Sequence, residues 1–368
     1  DDLILISYFA ISLIAYFLLK KTYFNRYYFY YTLVAIGFLI IHPILLNNIS
    51  NVNKYIGTII KIISFLLVLT ILGQKRFLAI YFKSMFVLCA LNLLLYIDHA
   101  FLYSISQPIS SLFKQLTTWS GNVLYENYIF LAKPVYGVTF DYTIPSFIKN
   151  PGIFGEGGYY QYFVNIALII SLFYYKKPIF SIYSIIFVLS ILTTYSTVGY
   201  LILFIIILNK ILNKIKLYDA IKIIPIVFIC SFYFLKSPTI YNKLLNVNST
   251  EYLVSTQRRI LDTTIDLAII QDQPLLGLGH GNSMGYKVYK NQYGGGESSS
   301  NGLLSHIAEF GIIGMFITLY PFIYFRFKSK KKYMIILCNI LTAFSQGIIM
   351  TPIFLFSMSL LNEKEKIQ

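Results

Sequence analysis

The chain has 368 residues, 57% of them hydrophobic and only 12% charged, with a mean hydropathy of +0.67 and a net charge of +15. A soluble globular chain carries about 25% charged residues, so this composition excludes an ordinary soluble domain. The cations gather in short connectors between apolar runs, as a positive-inside bias predicts, which argues against a nucleic-acid partner.

In chain order, apolar runs predict spans near residues 3–19, 28–48, 57–73, 79–97, 160–175, 178–194, 196–209, 218–235, 303–325, 333–347 and 349–361. Runs of nearly twenty apolar residues are long enough for a hydrocarbon core of roughly 30 Å. The expected fold is therefore an all-α polytopic membrane protein with about 11 transmembrane helices. Gly347 and Pro352 interrupt the last two runs, which are read as two spans or as one kinked unit. The expected division is 1–97, N-terminal transmembrane helices; 98–159, a first long outer loop; 160–235, central transmembrane helices; 236–302, a second long outer loop; and 303–368, C-terminal transmembrane helices with a cytoplasmic tail.

Five basic connectors set the expected orientation: Lys20, Lys21 and Arg26; Lys75 and Arg76, with Lys83 close behind; Lys176 and Lys177; Lys210, Lys214 and Lys216; and Arg326 to Lys332. All fall on one side of the predicted map, which should be the cytoplasm. The count puts Asp1 outside, and the chain begins without Met, so a further N-terminal segment is expected. The two long loops then face outward, and long loops in an otherwise economical chain point to a working surface.

The second loop holds the densest polar pattern. Residues 258–270, RRILDTTIDLAII, predict an amphipathic helix with Arg258, Asp262 and Asp266 along one flank, lying at the membrane surface or docked on the bundle. Pro274 should end it, and Gly277, Gly279 and Gly281 should form close turns whose N–H groups suit an anion. Arg258 and Arg259 suit phosphate oxygens, or else pair with Asp262, Asp266 or lipid headgroups. GLGHG is not a dinucleotide loop, because no βαβ pattern surrounds it. His280, between glycines, has room to face a substrate.

The first loop ends in KNPGIFGEGGYYQYF, residues 149–163. Glu156 is either a general base in a partly dry bundle mouth or a solvated turn residue. Farther on, His306 and Glu309 share a helix face. Glu309 lies deep enough in an apolar run to need a partner or a cavity, and His306 is a structural partner for it or a catalytic group. His42 and His99 read as structural, and Asp98–His99 as a weak outer-face pair. The four histidines lack ligand spacing and no Walker motif is present, so neither a metal nor a cofactor is expected. Cys89, Cys230 and Cys338 all lie in apolar runs, which excludes a CxxC site.

Taken in order, KNPGIFGEGGYYQYFVNIALI, YSTVGYLILFIII, RRILDTTIDLAIIQDQPLLGLGHGNS and SNGLLSHIAEFGIIG resemble the O-antigen polymerase and O-antigen ligase superfamily, over roughly residues 145–325. The chain departs from that pattern at several places. Thr197 stands where the family has an arginine beside Ser196, Lys149 where an arginine precedes Asn150, and Gly157 where proline is frequent. Ser300 replaces the ligase-type histidine before Asn301, and His306 lies six positions away, which favours the polymerase branch.

The resemblance implies a metal-independent GT-C-like glycosyltransferase of the bacterial cytoplasmic (inner) membrane, with its site facing the periplasm or outside. It would act in lipopolysaccharide or capsule synthesis. A polyprenyl-diphosphate-linked oligosaccharide would be the substrate, within membrane lipids, and a flippase and a chain-length regulator would be partners. Glu156, Arg259 and His280 would be catalytic, and Lys149, Arg258, Asn282, Asn301 and Glu309 would bind substrate. A ligase or a polysaccharide flippase is the alternative.

Cysteines introduced as Asn282→Cys and Ser329→Cys should react with a membrane-impermeant maleimide from opposite sides, the first from outside. Labelling of both from one side would overturn the orientation.

Overall fold

A computed structural model describes residues 2–18, 26–47, 51–98, 148–152, 154, 156–212, 250–293, 301–324 and 330–361, with short strands at 127–128, 131–132 and 135–136. These residues form eleven α-helices: α1 (Asp2–Leu18), α2 (Arg26–Leu45), α3 (Val52–Ile97), α4 (Gly157–Ile169), α5 (Ile182–Thr193), α6 (Thr197–Leu212), α7 (Thr250–Asp272), α8 (Ser283–Tyr293), α9 (Gly302–Tyr324), α10 (Lys330–Ala343) and α11 (Pro352–Leu361). A π-helical turn, Ile170–Tyr174, extends α4. Two antiparallel pairings of two-residue strands join β1 (Asn127–Tyr128) to β2 (Leu131–Ala132) and β3 (Val135–Tyr136) to β4 (Ile148–Lys149).

The expectation of about 11 transmembrane helices does not hold: among the described residues only Val52–Ile97 and Gly302–Tyr320 are long and apolar enough to cross a membrane. Six other helices contribute described apolar stretches of 10–17 residues. At about 1.5 Å per residue they fall short of a core of roughly 30 Å. Hydropathy counts apolar residues across helix ends and so overestimates helix length. Those ends are set by single residues in left-handed conformation: Asn47 after α2, Lys176 after the π turn, Tyr195 between α5 and α6, and Met350 between α10 and α11. Conversely, the runs expected as two spans at 57–73 and 79–97 form α3, interrupted at Gly73 (φ 69°). The expected span at 218–235 lies outside the described residues, as do most of the first loop and residues 236–249 of the second.

The chain divides into two compact units, residues 1–80 with 257–368, and residues 81–256. In the second unit α4 is the core, with Tyr160, Tyr162, Val164 and Ile166 all buried as it packs against α5 and α6. Gly199 of α6 lets Gln161 approach closely, since a Cβ there would lie 2.9 Å from it. Buried Asn150 fastens the entry to α4. Its backbone N–H donates to the Thr193 carbonyl at 3.0 Å, and its Nδ2 donates to Asn92 Oδ1 at 2.5 Å and Thr193 Oγ1 at 2.9 Å. The outward surface of this unit is apolar, including Ile182, Leu189, Leu192 and Leu201. The other unit likewise exposes Ile11, Ile14, Leu33, Val34 and Ile40.

The first unit is organised around a break in α9 at Gly311 (φ 66°). In an unbroken helix the Ile312 and Ile313 N–H groups would donate to the Ala308 and Glu309 carbonyls. Here the loop after α7 takes both sets of partners. Leu278 and Gly279 N–H donate to the Ala308 and Glu309 carbonyls at 2.9 Å each, while Ile312 and Ile313 N–H donate to the Pro274 and Leu275 carbonyls at 2.8 and 3.3 Å. Each such group left unpaired would cost on the order of 1–3 kcal/mol, so break and loop require one another.

The helix expected at 258–270 is longer, α7 running from Thr250 to Asp272. It docks rather than floats: Ile265 and Ile269 are buried against Ala308 of α9. Asp262 and Asp266, the expected polar flank, are buried on that same side, whereas Ile260 and Leu267 face outward.

Gly311→Ala should destabilise the protein by at least about 2 kcal/mol, through left-handed strain and collision, because its Cβ would lie 2.1 Å from the Leu275 carbonyl oxygen. Gly37→Ala, with nothing within 4 Å, should be neutral or slightly stabilising. Thermal unfolding in detergent distinguishes the two.

Candidate functional site

The loop that fills the α9 break also presents His280. Gly277, Gly279 and Gly281 all have positive φ, so the turns expected there are formed. The expected backbone anion cradle is not: the N–H groups of Gly277, Leu278 and Gly279 donate to the Gln273, Ala308 and Glu309 carbonyls, and that of His280 donates to Tyr55 Oη at 2.7 Å.

His280 is held from every side. Its Nδ1 lies 2.7 Å from Glu309 Oε2. A carboxylate only accepts, so Nδ1 carries a proton, and in the tautomer this leaves, Nε2 is an acceptor. Thr58 Oγ1, 3.1 Å from Nε2, is then the donor. The Phe310 ring lies 5.0 Å away, and Tyr55 presents its ring at 87° and 5.5 Å. Behind this, His42 bridges the Leu276 carbonyl at 2.6 Å and Tyr55 Oη at 2.8 Å. The carbonyl fixes His42 Nε2–H as a donor, so Tyr55 O–H donates to His42 Nδ1. Lys54 Nζ donates to the Gly281 carbonyl at 2.8 Å. A turn between glycines thereby becomes a rigid mount.

Glu309 has both things its position demanded, a partner and a cavity. The partner is His280; His306 instead lies 3.0 Å from Thr318 Oγ1, a bond that spans the α9 break. The side chains of His280 and Glu309 are 24% and 34% exposed, so the pair remains open to a ligand. They line a cavity of about 480 Å³, together with Thr58, Lys61, Ser305 and His306. That volume lies within the usual range for ligand pockets. A second pocket of about 250 Å³ shares Ser305 and Glu309 and reaches Lys54 and Asn282. The arrangement provides a base whose far N–H donates to a carboxylate, facing a space large enough for a sugar.

The remaining sequence candidates are placed differently. Glu156 is the N-cap residue of α4 and is exposed, so the partly dry mouth expected around it is not found among the described residues. Asn282 caps α8, its Oδ1 accepting from Gly285 N–H at 2.9 Å. Asn301 caps α9, its Oδ1 accepting from Leu304 N–H at 3.2 Å. Lys149 ends β4, and Arg258 and Arg259 lie on α7; their side chains are outside the described residues. Tyr55, Thr58 and Lys61 were missed because they sit in or beside a run read only as a span. The signal was present: they recur at helical spacing, and a lysine inside an apolar run marks a functional position.

Scaffold, apolar surface and cavity together define a helical, membrane-associated protein with a polar site built for chemistry. Residues 162–319 match the model of the O-antigen ligase family. Over that stretch the superfamily assignment read from the sequence holds. That match covers less than half of the chain and makes it similar over this stretch to the O-antigen ligase family. His280 and Glu309 fall inside the matched stretch, whereas Tyr55, Thr58 and Lys61 precede it. No curated protein and no solved structure matches the chain significantly.

Tyr55→Phe removes the acceptor of His280 N–H and the donor to His42. It should cost about 1–3 kcal/mol of stability and raise hydrogen exchange at the His280 amide, read by mass spectrometry on the peptide spanning 275–285.

Proposed function

We propose that the protein is a repeat-unit polymerase of the bacterial cytoplasmic membrane with its site on the outer face. It would transfer a growing glycan from polyprenyl diphosphate to the non-reducing end of a new lipid-linked repeat unit. The observation that carries this reading is the His280–Glu309 pair opening on a cavity of about 480 Å³. In the proposed step an acceptor hydroxyl takes the position of the Thr58 hydroxyl at His280 Nε2. The hydroxyl oxygen attacks the anomeric carbon of the donor glycan, the bond from that carbon to the phosphate oxygen breaks, and polyprenyl diphosphate leaves. His280 Nε2 takes the hydroxyl proton, and Glu309 stabilises the resulting imidazolium. Arg259, with Arg258, neutralises charge on the departing diphosphate.

Polymerase is favoured over ligase by Ser300, which stands where ligase-type sequences carry a histidine. Incubating purified protein with defined lipid-linked repeat units separates the readings. Longer lipid-linked glycans mean polymerase, transfer to another acceptor means ligase, and a change of sidedness alone means flippase.

With the same substrate, His280→Ala and Glu309→Gln should lower turnover by about 10²- to 10⁴-fold. Arg259→Ala should lower it by roughly 30- to 1000-fold, with Arg259→Lys recovering part. Folded, membrane-inserted His280→Ala protein with near-normal polymer formation would remove the base assignment.

A further inference from the structure

We propose that Lys61 is the phosphate-binding cation of the cavity on which His280 and Glu309 open. The inference rests on the reading of the substrate as a lipid-linked diphosphate. Lys61 lies nine residues into α3, one of the two helices able to cross a membrane. An ammonium in such a position needs a counter-charge or a wet cavity. It has the cavity, whose lining it shares with Thr58 and His280. Lys54, Thr58 and Lys61 recur at four- and three-residue spacing, so they share one face of α3.

Glu309, the carboxylate that lines this cavity, is paired with His280, and Lys61 makes no ion pair among the described residues. Lys54, its counterpart on the same face, is already bound to the Gly281 carbonyl. The loop N–H groups of residues 277–280 are taken by the Gln273, Ala308 and Glu309 carbonyls and by Tyr55 Oη, so they provide no anion cradle. Among the described side chains that line this cavity, Lys61 is the lysine or arginine available to an anionic ligand, beside the proposed base. A compact ammonium suits a phosphoryl oxygen as a point charge. With the leaving diphosphate on Lys61 and the acceptor hydroxyl on His280 Nε2, one cavity holds both ends of the reacting bond system.

The test is direct binding by the full chain in nanodiscs, which needs no turnover. Polyprenyl diphosphate is the probe, inorganic pyrophosphate the competitor, and the nanodisc is made with or without phosphatidylglycerol. Lys61→Met should weaken polyprenyl diphosphate binding by about 10- to 100-fold. Lys61→Arg should retain most of the affinity, and pyrophosphate should compete in the wild type but not in Lys61→Met. Equal binding by wild type and Lys61→Met at unchanged thermal midpoints would overturn the assignment. So would loss confined to phosphatidylglycerol dependence, which would make Lys61 a headgroup anchor, and so would absence of polyprenyl diphosphate binding by the wild type. Wild-type protein that binds the diphosphate through Lys61 yet fails to elongate repeat units would instead remove the polymerase reading and leave the anion site standing.

Discussion

The first unit depends on an exchange of backbone hydrogen bonds. Gly311 breaks α9, and the carbonyls and N–H groups released there are taken by residues 274–279. Neither partner is stable alone in an apolar setting, where unsatisfied backbone groups find no water. The exchange also sets a distance. With Gly279 bonded to Glu309, the next residue, His280, is delivered to the side chain of that same glutamate. The backbone bond and the side-chain pair are thus two consequences of one docking.

Around that pair the protein has traded mobility for placement. His280 is bounded by Thr58, Tyr55, Phe310 and Glu309, and its loop is tied down by His42 and Lys54. A group so held does not need to reorganise when charge develops, which is the condition under which electrostatic stabilisation is largest. The same restraint explains why glycine-rich backbone can host a reactive side chain: three positive-φ glycines shape the turn, and bonds from α2, α3 and α9 remove the freedom those glycines bring.

Several parts of this arrangement were legible in the residues. The turn at 277–281, the helix before it, and the need of Glu309 for a partner all followed from local chemistry. The partner did not. His306, three residues from Glu309 in sequence, was the nearer choice, yet the break at Gly311 gives His306 to Thr318 and leaves Glu309 facing a loop residue 29 positions away. Helix lengths also escaped the hydropathy pattern. Tyr195, Lys176 and Met350 end helices in left-handed conformation, which a sliding average of apolarity does not register.

The sequence by itself determined what is local and additive: a helical, apolar, cation-biased chain, turns at its glycines, and the superfamily pattern. These depend on residue type and short-range spacing, which the chain carries wherever it folds. Only the tertiary structure decided which side of α7 is buried, and that a histidine between glycines meets a helical glutamate beside a lysine of α3. Asp262 and Asp266 lie inward and Ile260 and Leu267 outward because Ile265 and Ile269 must reach Ala308. Such choices are made by packing and by the satisfaction of every buried backbone group at once, a condition on the whole unit that no stretch of sequence meets alone.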